Sequence, residues 1–410
     1  MRGAVLGKAG PFYEALYGNI PAELALYIHV PFCDVRCSYC AFNAYVGQRA
    51  RVPAYVRAVQ AELRLAAKAL PRVPVSSVYF GGGTPSFLTP QELGALLAVC
   101  AEAFTLTSDV EITLEANPEH LSPDVFGAWR ALGVTRLSVG MQSAHADELR
   151  FFRRAHTLAD VRAAVRAARA AGIPSLNLDL IYGLPRQTMA AWQASLSAAL
   201  ALAPEHLSLY SLSVEPATLL HKQIARGLVP SPDPDMAAEM YEFAEAFLAR
   251  AGYHHYEISN WARVGHTCRH NIHVWRNRPY LGVGAGAHGN VAGVRYANLR
   301  RPADYSARVE AVAAGEAEAT LPAAPAAEEL LPLTAADVYA ETVMLGLRLT
   351  EEGIVPRAFA ARFGRDVWAL FGAQFRRLLA WKLVEQLPDG RLRLTPRGRL
   401  LGNRVFAEFV

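Results

Sequence analysis

The chain has 410 residues, of which 52% are hydrophobic, and a formal net charge of +4 at pH 7. This length exceeds one average domain and fits a barrel of about 250 residues with an appended unit. No run of roughly 18 apolar residues occurs, which argues against a membrane span, and residues 1–24 lack the apolar core of a signal peptide. We therefore expect a cytoplasmic protein with reduced thiols. The small net charge gives no indication of a nucleic-acid partner.

Short apolar runs rich in β-formers recur from about residue 25 to 215, and stretches with helical periodicity separate most of them. The runs cover residues 25–30, 76–83, 110–117, 136–143, 176–184 and 206–214. Six strand–helix units in succession predict an α/β fold with a parallel sheet and outer helices. Polar residues lie late in these runs or just after them, as at the mouth of a βα barrel. We therefore expect a partial (β/α)6 TIM-like barrel, with an open doubly wound sheet as the alternative.

The remainder of the chain is less regular. Residues 252–262 are typical of another strand, and a Gly- and His-rich segment continues to about residue 300. Three helical runs, two short strands around Pro388-Asp389-Gly390 and a last helix predict a winged-helix-like domain. An Ala/Glu/Pro-rich stretch before this domain is typical of a linker. The expected parts are an N-terminal extension 1–24, a barrel core 25–310 that includes a post-barrel segment at about 252–300, a linker 311–333 and a C-terminal domain 334–410.

Three of the five cysteines, Cys33, Cys37 and Cys40, lie within eight residues directly after the first predicted strand, with the spacing CxxxCxxC. A structural zinc site usually pairs two close couples of ligands, and no second couple follows here. Three thiolates suit a cubane [4Fe–4S] cluster that leaves one iron open to a substrate or cofactor. A zinc site completed by a remote residue, and three uninvolved thiols, are the alternatives.

With YIHVPF before these cysteines, the sequence resembles the radical SAM superfamily. The resemblance implies that S-adenosylmethionine (SAM) is the fourth ligand of the cluster, through its amino and carboxylate groups. It also places the methionyl amino group of SAM against Gly81-Gly82-Gly83-Thr84-Pro85, where glycines let the backbone approach a ligand closely. An electron donor such as flavodoxin or ferredoxin is an implied partner if SAM is cleaved.

Further motifs narrow the resemblance. YIHVPFC, YFGGGTPS, LEANP, LSVGMQS and NLDLIYGLPRQT are together similar to the family of the oxygen-independent coproporphyrinogen III oxidase and the heme chaperone HemW, over nearly the whole chain. Phe42 joins the predicted SAM site because its ring can pack against adenine. An arginine can fork onto a carboxylate, and acidic and amide side chains can bind ribose hydroxyls or an amine. The SAM contacts that the resemblance implies fall on Tyr27, Gly82, Gly83, Thr84, Glu115, Gln142, Arg154, Asp179 and Ser213.

Two features separate the branches of this family. The oxidases carry a fourth cysteine two places after the third, where this sequence has Phe42. The HemW branch carries an HNxxYW signature associated with heme binding, which His270, Asn271 and Trp275 match, whereas Val274 replaces the tyrosine. The resemblance makes His270 the candidate heme ligand and Trp275 a candidate apolar face. Cys268, His266 and His273 are alternative ligands.

The sequence therefore favours a heme chaperone that carries a [4Fe–4S] cluster and SAM and transfers heme to an acceptor protein. The alternative is an oxygen-independent coproporphyrinogen III oxidase of porphyrin biosynthesis. A third reading is nucleic-acid binding by the winged-helix-like domain. We expect instead that this domain covers the barrel mouth or docks the heme acceptor. Its basic residues are Arg391, Arg393, Arg397, Arg399 and Arg404.

Overall fold

A computed structural model describes residues 23–70, 72–119 and 121–409. Nearly all of the predicted N-terminal extension lies outside these residues. The strands are β1 Leu24–Val30, β2 Phe32–Cys33, β3 Tyr45–Val46, β4 Pro74–Gly82, β5 Thr105–Ala116, β6 Arg136–Gln142, β7 Ser175–Tyr182, β8 His206–Ser211, β9 His254–Glu257, β10 Asn260–Ala262, β11 Tyr280–Val283, β12 His288–Val291, β13 Val294–Asn298, β14 Ala327–Pro332, β15 Val384–Gln386 and β16 Leu392–Leu394.

Helices connect most of these strands, and short 3-10 turns lie at Arg49–Arg51 and Pro85–Phe87. The α-helices are α1 Val52–Ala69, α2 Pro90–Ala103, α3 Pro123–Ala131, α4 Ala146–Phe151, α5 Leu158–Ala170, α6 Met189–Leu200, α7 Leu219–Ala225, α8 Pro234–Arg250, α9 Arg269–Trp275, α10 Pro302–Ala313, α11 Ala335–Gly346, α12 Pro356–Phe363, α13 Val367–Ala380, α14 Pro396–Leu400 and α15 Gly402–Phe406.

Twelve strands form one sheet in the order β14-β13-β12-β11-β1-β4-β5-β6-β7-β8-β10-β9. Its centre is the predicted run of six parallel strands, β1 and β4 to β8, in sequence order. The predicted α/β fold is thus confirmed. Beyond β1, strand β11 pairs in parallel and β12 to β14 follow antiparallel, and β10 and β9 add antiparallel strands at the other edge. The sequence did not predict β11 to β14. Residues of β11 to β13 line one of the two cavities described below.

Alternation along the central strands separates the two faces of the sheet. On the fully buried β6, Leu137, Val139 and Met141 belong to the hydrophobic core, whereas Ser138 and Gly140 line an inner cavity. Successive side chains of a strand point to opposite faces, so the helices cover one face and polar groups collect on the other. The helix starts are fixed locally, as at Thr157, whose side chain accepts the N–H of Asp160 in a capping box.

The predicted linker at 311–333 is wrong. Residues 302–313 form α10, which packs on α1, and residues 327–332 form β14, which pairs with β13. Leu321, Ala323 and Ala324 between them are buried in the main core. The small alanines that made this stretch look like a low-complexity linker instead allow close packing against the sheet.

The C-terminal part, α11 to α15 with the β15–β16 hairpin, has its own core around Val343, Phe375 and Leu392. The predicted order of helices and two short strands is observed there. Most of its predicted basic side is neutralised or packed: Arg391 pairs with Asp389, Arg393 with Glu385 and Arg399 with Glu245, and Arg404 lies over the Trp381 ring. In the described part of the chain, no helix combines the length and the apolar character needed to cross a membrane.

Candidate functional site

The three clustered cysteines lie on a loop that begins at the end of β1 and is fastened at several points. Ser38 donates its hydroxyl to the carbonyl of Phe151 (2.8 Å) and its N–H to that of Phe152 (3.1 Å). Arg36 donates to the carbonyls of Ala44 (2.8 Å) and Cys40 (3.3 Å). The backbone of the loop is therefore held by hydrogen bonds to the protein, which leaves the thiols free to bind a ligand.

The glycine segment after β4 packs directly against this loop. The N–H of Gly83 donates to the carbonyl of Val30 (2.9 Å) and that of Thr84 to the carbonyl of Phe32 (2.8 Å). A Cβ on Gly83 would lie 2.8 Å from those two carbonyl oxygens, so only glycine fits there. The Thr84 hydroxyl donates to Cys33 Sγ (3.3 Å), which joins the two predicted motifs at one point.

Two largely buried carboxylates, Glu115 on β5 and Asp179 on β7, face the same space from either side of β6. Glu115 accepts the Tyr79 hydroxyl (2.7 Å) and the N–H of Gly82 (3.3 Å), and burial raises its pKa to about 7. Asp179 accepts from the Ser138 hydroxyl (3.0 Å) and from Asn177 Nδ2 (2.7 Å), and burial raises its pKa as well. Both acids keep acceptor capacity for a ligand with hydroxyl or amino donors.

Arg154 and Gln142 complete the polar wall. Arg154 donates to Asn117 Oδ1 and lies 3.9 Å from Glu119, whereas its buried Nε has no partner among the residues that the structure describes. An arginine in this state can bind a carboxylate. Gln142 has a positive φ of 63° at the end of β6, an uncommon backbone conformation for a non-glycine residue and one that often marks a functional site.

These groups line one cavity of about 510 Å³, which we call the cysteine cavity. The exposed Phe42 and Ser213 lie at its wall too. The structure brings nine of the ten predicted SAM-site residues and all three cysteines to this one cavity. The members that the structure places here are Cys33, Cys37, Cys40, Phe42, Gly82, Gly83, Thr84, Glu115, Gln142, Arg154, Asp179 and Ser213.

Tyr27, the remaining predicted SAM contact, lies in a neighbouring cavity instead. Its hydroxyl bonds to His29 Nδ1 (3.0 Å), and its ring stacks on Tyr79 with centroids 6.2 Å apart. The second cavity also measures about 510 Å³ and is lined by His270 and His288, so we call it the histidine cavity. Ala41 and Phe42 line both cavities, so the two share a wall.

The HNxxYW-like segment forms α9, whose first N–H groups are capped by Glu111 through Arg269 (3.0 Å) and His270 (3.1 Å). His270 lines the histidine cavity, and its Nδ1 bonds to the Ser77 hydroxyl (3.0 Å). Its Nε2 has no hydrogen-bond partner in the described ranges. Burial lowers the pKa of His270 to about 3, so its imidazole is neutral at physiological pH.

The residues of the HNxxYW-like segment do not line one common cavity, so the predictions for Asn271 and Trp275 as heme-site residues are corrected. Asn271 lines the cysteine cavity rather than the cavity of His270. Trp275 lies in neither cavity; its ring packs 4.2 Å from the Arg348 guanidinium of the C-terminal part. One residue further along a helix turns the side chain by about 100°, so Val274 shares the His270 face and Trp275 faces away.

The alternative heme ligands are less accessible than His270. His273 donates its Nε2–H to the Pro279 carbonyl (2.7 Å), and Cys268 is fully buried beside Glu111. His266 bonds weakly to Ser175 (3.4 Å) at the far end of β7 from the cysteine cavity, and neither cavity includes it.

Sequence reasoning missed several residues that line the cavities. Arg136 and Asn177 lie deep in the cysteine cavity, where alternate positions of predicted strands would have indicated them. His288 and Arg300 line the histidine cavity. No signal marked these two, because the strands β12 and β13 beside them were not recognised.

The thiols fit a cubane better than a single metal ion. Within residues 23–70, 72–119 and 121–409, no three His, Cys, Asp or Glu side chains converge closely enough to hold one ion. A cubane carries its protein ligands on different irons, so its thiolates are spaced more widely. Burial raises the pKa of Cys33 to about 11, so this thiol loses its proton only to a cationic centre.

Comparisons with known proteins agree with this arrangement. Residues 27–199 match the family profile of the radical SAM superfamily, and residues 333–401 match that of the HemN C-terminal domain. The fold is similar to that of HemN, the coproporphyrinogen III oxidase of Escherichia coli, with a TM-score of 0.81, 24% identity, and coverage of 97% of this chain and 92% of that one. At this identity the likeness shows the fold alone.

Sequence relatives identify the family. The chain is 39% identical over 383 residues to the heme chaperone HemW of Mycobacterium tuberculosis, which covers 93% of each protein. It is 35% identical over 385 residues to the heme chaperone HemW of Bacillus subtilis, covering 94% of this chain and 98% of that protein. The chain belongs to the HemW family. A mitochondrial relative, the radical S-adenosyl methionine domain-containing protein 1 of Bos taurus, is 36% identical over 382 residues, covering 91% of this chain and 83% of that protein.

Phe42 and Val274, which differ from the residues expected from related sequences, both line the histidine cavity. Phe42 replaces the fourth cysteine of the oxidases, and its side chain, 66% exposed, stands between the two cavities of this HemW-family chain. Val274 replaces the signature tyrosine and lines the histidine cavity with an apolar group. Both changes make the wall of the histidine cavity more apolar.

Proposed function

We propose that this protein is a heme chaperone that binds heme in the histidine cavity, carries a [4Fe–4S] cluster and SAM in the cysteine cavity, and passes heme to an acceptor protein in the cytoplasm. One observation carries the proposal: the buried His270 points an unpartnered imidazole nitrogen at a cavity that shares a wall with the cysteine cavity. A cavity of about 510 Å³ is within the size range of cofactor sites.

In the cysteine cavity, Cys33, Cys37 and Cys40 would hold three irons of the cluster. Arg154, whose side chain lines this cavity, would receive the SAM carboxylate, and Glu115 and Asp179 would accept hydrogen bonds from its amino or ribose groups. When bound, the cluster and SAM supply one-electron chemistry. The protein fixes their orientation and excludes water from a largely buried polar pocket.

In the histidine cavity, His270 is suited to bind heme iron. Its neutral imidazole needs no deprotonation, because burial lowers its pKa to about 3. The hydrogen bond between Ser77 and Nδ1 leaves Nε2 as the ligating atom and fixes the ring orientation. The rings of Tyr27 and Tyr79 pack against the imidazole in tilted contacts, with centroids 6.3 Å and 4.9 Å from it, and keep it in place.

The C-terminal part would connect heme binding to an acceptor. Arg362 donates to the carbonyls of Arg276 (2.9 Å) and Asn277 (2.9 Å) at the end of α9, and Asn277 Nδ2 donates to the Val338 carbonyl (3.3 Å). A partner that shifts this part would therefore pull on the helix that carries His270. This arrangement suits a chaperone that must release its ligand.

The test is anaerobic reconstitution of the cluster, electron paramagnetic resonance with and without SAM, and then titration with heme. We expect the cluster spectrum to change on adding SAM, and one heme to bind per chain with a shifted Soret band. His270→Ala should weaken heme binding by at least about tenfold while leaving the cluster spectrum unchanged. Failure of the full chain to bind heme stoichiometrically would refute the proposal.

The second candidate, oxidative decarboxylation of coproporphyrinogen III, has no specific support in the site. Phe42 stands where the oxidases have their fourth cysteine, and the likeness to the Escherichia coli oxidase concerns the fold. An anaerobic assay with SAM and a reductant should yield no protoporphyrinogen. Substantial turnover in that assay would replace the chaperone proposal with the enzymatic one.

A further inference from the structure

The histidine cavity lies over the extension of the sheet from β1 through β11 to β12, where strand register aligns one residue of each strand in a row. Tyr27 on β1 pairs with Gly282 on β11. The antiparallel pairing of Tyr280 with Asn290 places Gly282 opposite His288 on β12. The row therefore runs from Tyr27 through Gly282 to His288, and Tyr27 and His288 both line the cavity.

Gly282 allows β11 and β12 to approach closely. A Cβ at that position would lie 1.8 Å from the backbone oxygen of His288, so the close contact of the two strands requires glycine. The rings of Tyr27 and His270 lie next to each other, with centroids 6.3 Å apart. His270 on α9 and His288 on β12 thus line the same cavity from two different elements.

Two imidazoles of this cavity are free to bind a metal, and the third is not. His29 bonds at both ring nitrogens, to the Tyr27 hydroxyl (3.0 Å) and to the Asn43 carbonyl (3.0 Å). His270 keeps a free Nε2. His288 is exposed, and its side chain has no hydrogen-bond partner in the part of the chain that the structure describes.

The charges at the cavity are unpaired as well. Arg300 is the arginine of its lining, is exposed, and forms no side-chain hydrogen bond or ion pair with any described residue. Its backbone carbonyl accepts from Asn43 Nδ2 (2.8 Å), which fixes the position of the residue without engaging the guanidinium. Glu328 and Glu329 also line the cavity and would repel an anionic group. A carboxylate of a bound ligand is therefore expected to lie beside Arg300.

We propose that the iron of a heme in the histidine cavity takes His288 as a second ligand besides His270, and that a propionate of this heme binds Arg300. This inference rests on the proposed function, because it assumes that the histidine cavity takes heme. Two imidazoles on opposite faces give a six-coordinate, low-spin iron. Arg300 supplies a charge-assisted contact to a carboxylate at the edge of the ring.

The axial ligand is tested by titrating the full-length, reconstituted chain with ferric heme and recording absorption and electron paramagnetic resonance spectra. The wild type should bind one low-spin heme. His288→Ala should still bind one heme, now five-coordinate and high-spin, and added imidazole should restore the low-spin spectrum. The matched control is His221→Ala, an exposed histidine on α7 outside both cavities, which should leave the spectrum unchanged.

The outcomes separate the two proposals. If the wild type binds no stoichiometric heme, the proposed function itself fails and this inference fails with it. If the wild type binds heme and His288→Ala keeps its low-spin spectrum, only the assignment of His288 is overturned.

Arg300 is tested by comparing heme with its dimethyl ester, which lacks the carboxylate charge. The wild type should bind heme about tenfold more tightly than the ester, and Arg300→Ala should bind both equally, whereas Arg300→Lys should keep part of the preference. A wild type that does not distinguish heme from the ester would overturn this part of the proposal. Because the Arg300 side chain has no described partner, its loss should not impair folding.

Discussion

The cysteine cavity and the histidine cavity have the same volume, about 510 Å³, but different parts of the sheet build them. The cysteine cavity lies inside the parallel strands, where buried acids and Arg154 are held in a dense hydrogen-bond network. The histidine cavity lies over β1 and the strands β11 to β13 that extend the sheet beyond it, and it offers free imidazoles and an unpaired arginine. Under the proposed function, the first cavity would orient a polar, charged cofactor, and the second would take a flat ligand and release it.

The largest expected effect is the loss of the cluster from the cysteine cavity while heme binding in the histidine cavity is retained. Cys37→Ala should remove nearly all of the ~4 irons per chain after reconstitution, because a cubane needs its three thiolates, but heme should still bind. The matched control is Cys100→Ala, which alters a buried core thiol far from the loop and should keep the iron. Iron and sulfide analysis checks the result. Full iron content in Cys37→Ala would show that the cysteine cavity is not the cluster site.

Arg348→Ala should affect the histidine cavity more than the cysteine cavity. Arg348 lies 3.5 Å from the fully buried Glu257 and stacks on Trp275 at the end of α9. Removing it leaves a buried carboxylate without its partner, which typically costs about 3–5 kcal/mol. We expect a lower melting temperature and weaker heme binding, with SAM binding retained.

The double variant Arg348→Ala with Glu257→Gln serves as its control, because it also removes the stranded charge. It should recover part of the melting temperature but not the packing of Trp275. Equal loss of SAM and heme binding in Arg348→Ala would show that the two cavities do not respond separately.

We expect the affinity of the cysteine cavity for SAM to depend on pH through Glu115, because burial raises the pKa of this carboxyl to about 7. Above this pH the ionised carboxylate accepts hydrogen bonds from SAM, and below it the acid is protonated and binds less well. The affinity ratio of wild type to Glu115→Gln should therefore rise between about pH 6 and pH 8, by at most about tenfold per unit. Isothermal titration with SAM at several pH values measures this ratio, and a constant ratio would exclude the role of Glu115.

The smallest expected effect concerns the support of the histidine cavity. Buried Glu62 on α1 accepts from the Gly284 N–H (2.8 Å), Asn298 Nδ2 (2.8 Å) and the Tyr305 hydroxyl (2.5 Å), and burial raises its pKa from 4.5 to about 7. Between these two values the unfolded carboxyl is ionised while the folded one holds its proton, so Glu62 stabilises the fold less as pH rises.

Glu62→Gln cannot ionise and should lose this dependence. Its melting temperature minus that of the wild type should increase by a few degrees from about pH 5 to pH 8. The exposed Glu310→Gln on α10 is the control and should show a constant difference. If the difference for Glu62→Gln instead fell as pH rose, the raised pKa of Glu62 would be contradicted.

The sequence predicted the cysteine cavity well because its residues come from contiguous motifs at the ends of the parallel strands, such as LEANP with Glu115 and LSVGMQS with Gln142. The histidine cavity depends on strand register, which places His288 beside Gly282 although neither lies in a motif. The alanines of 321–327 resembled a linker because composition alone does not show that they pack in the core. Trp275 was misplaced because a sequence signature does not specify the helix face of each member.

Anomalous diffraction at the iron edge, from crystals of the reconstituted protein loaded with heme, tests the account most directly. We expect two separate iron centres: a cluster bound by Cys33, Cys37 and Cys40, and a single iron in the histidine cavity between His270 and His288. A heme iron located outside the histidine cavity, or no iron at the three cysteines, would contradict it.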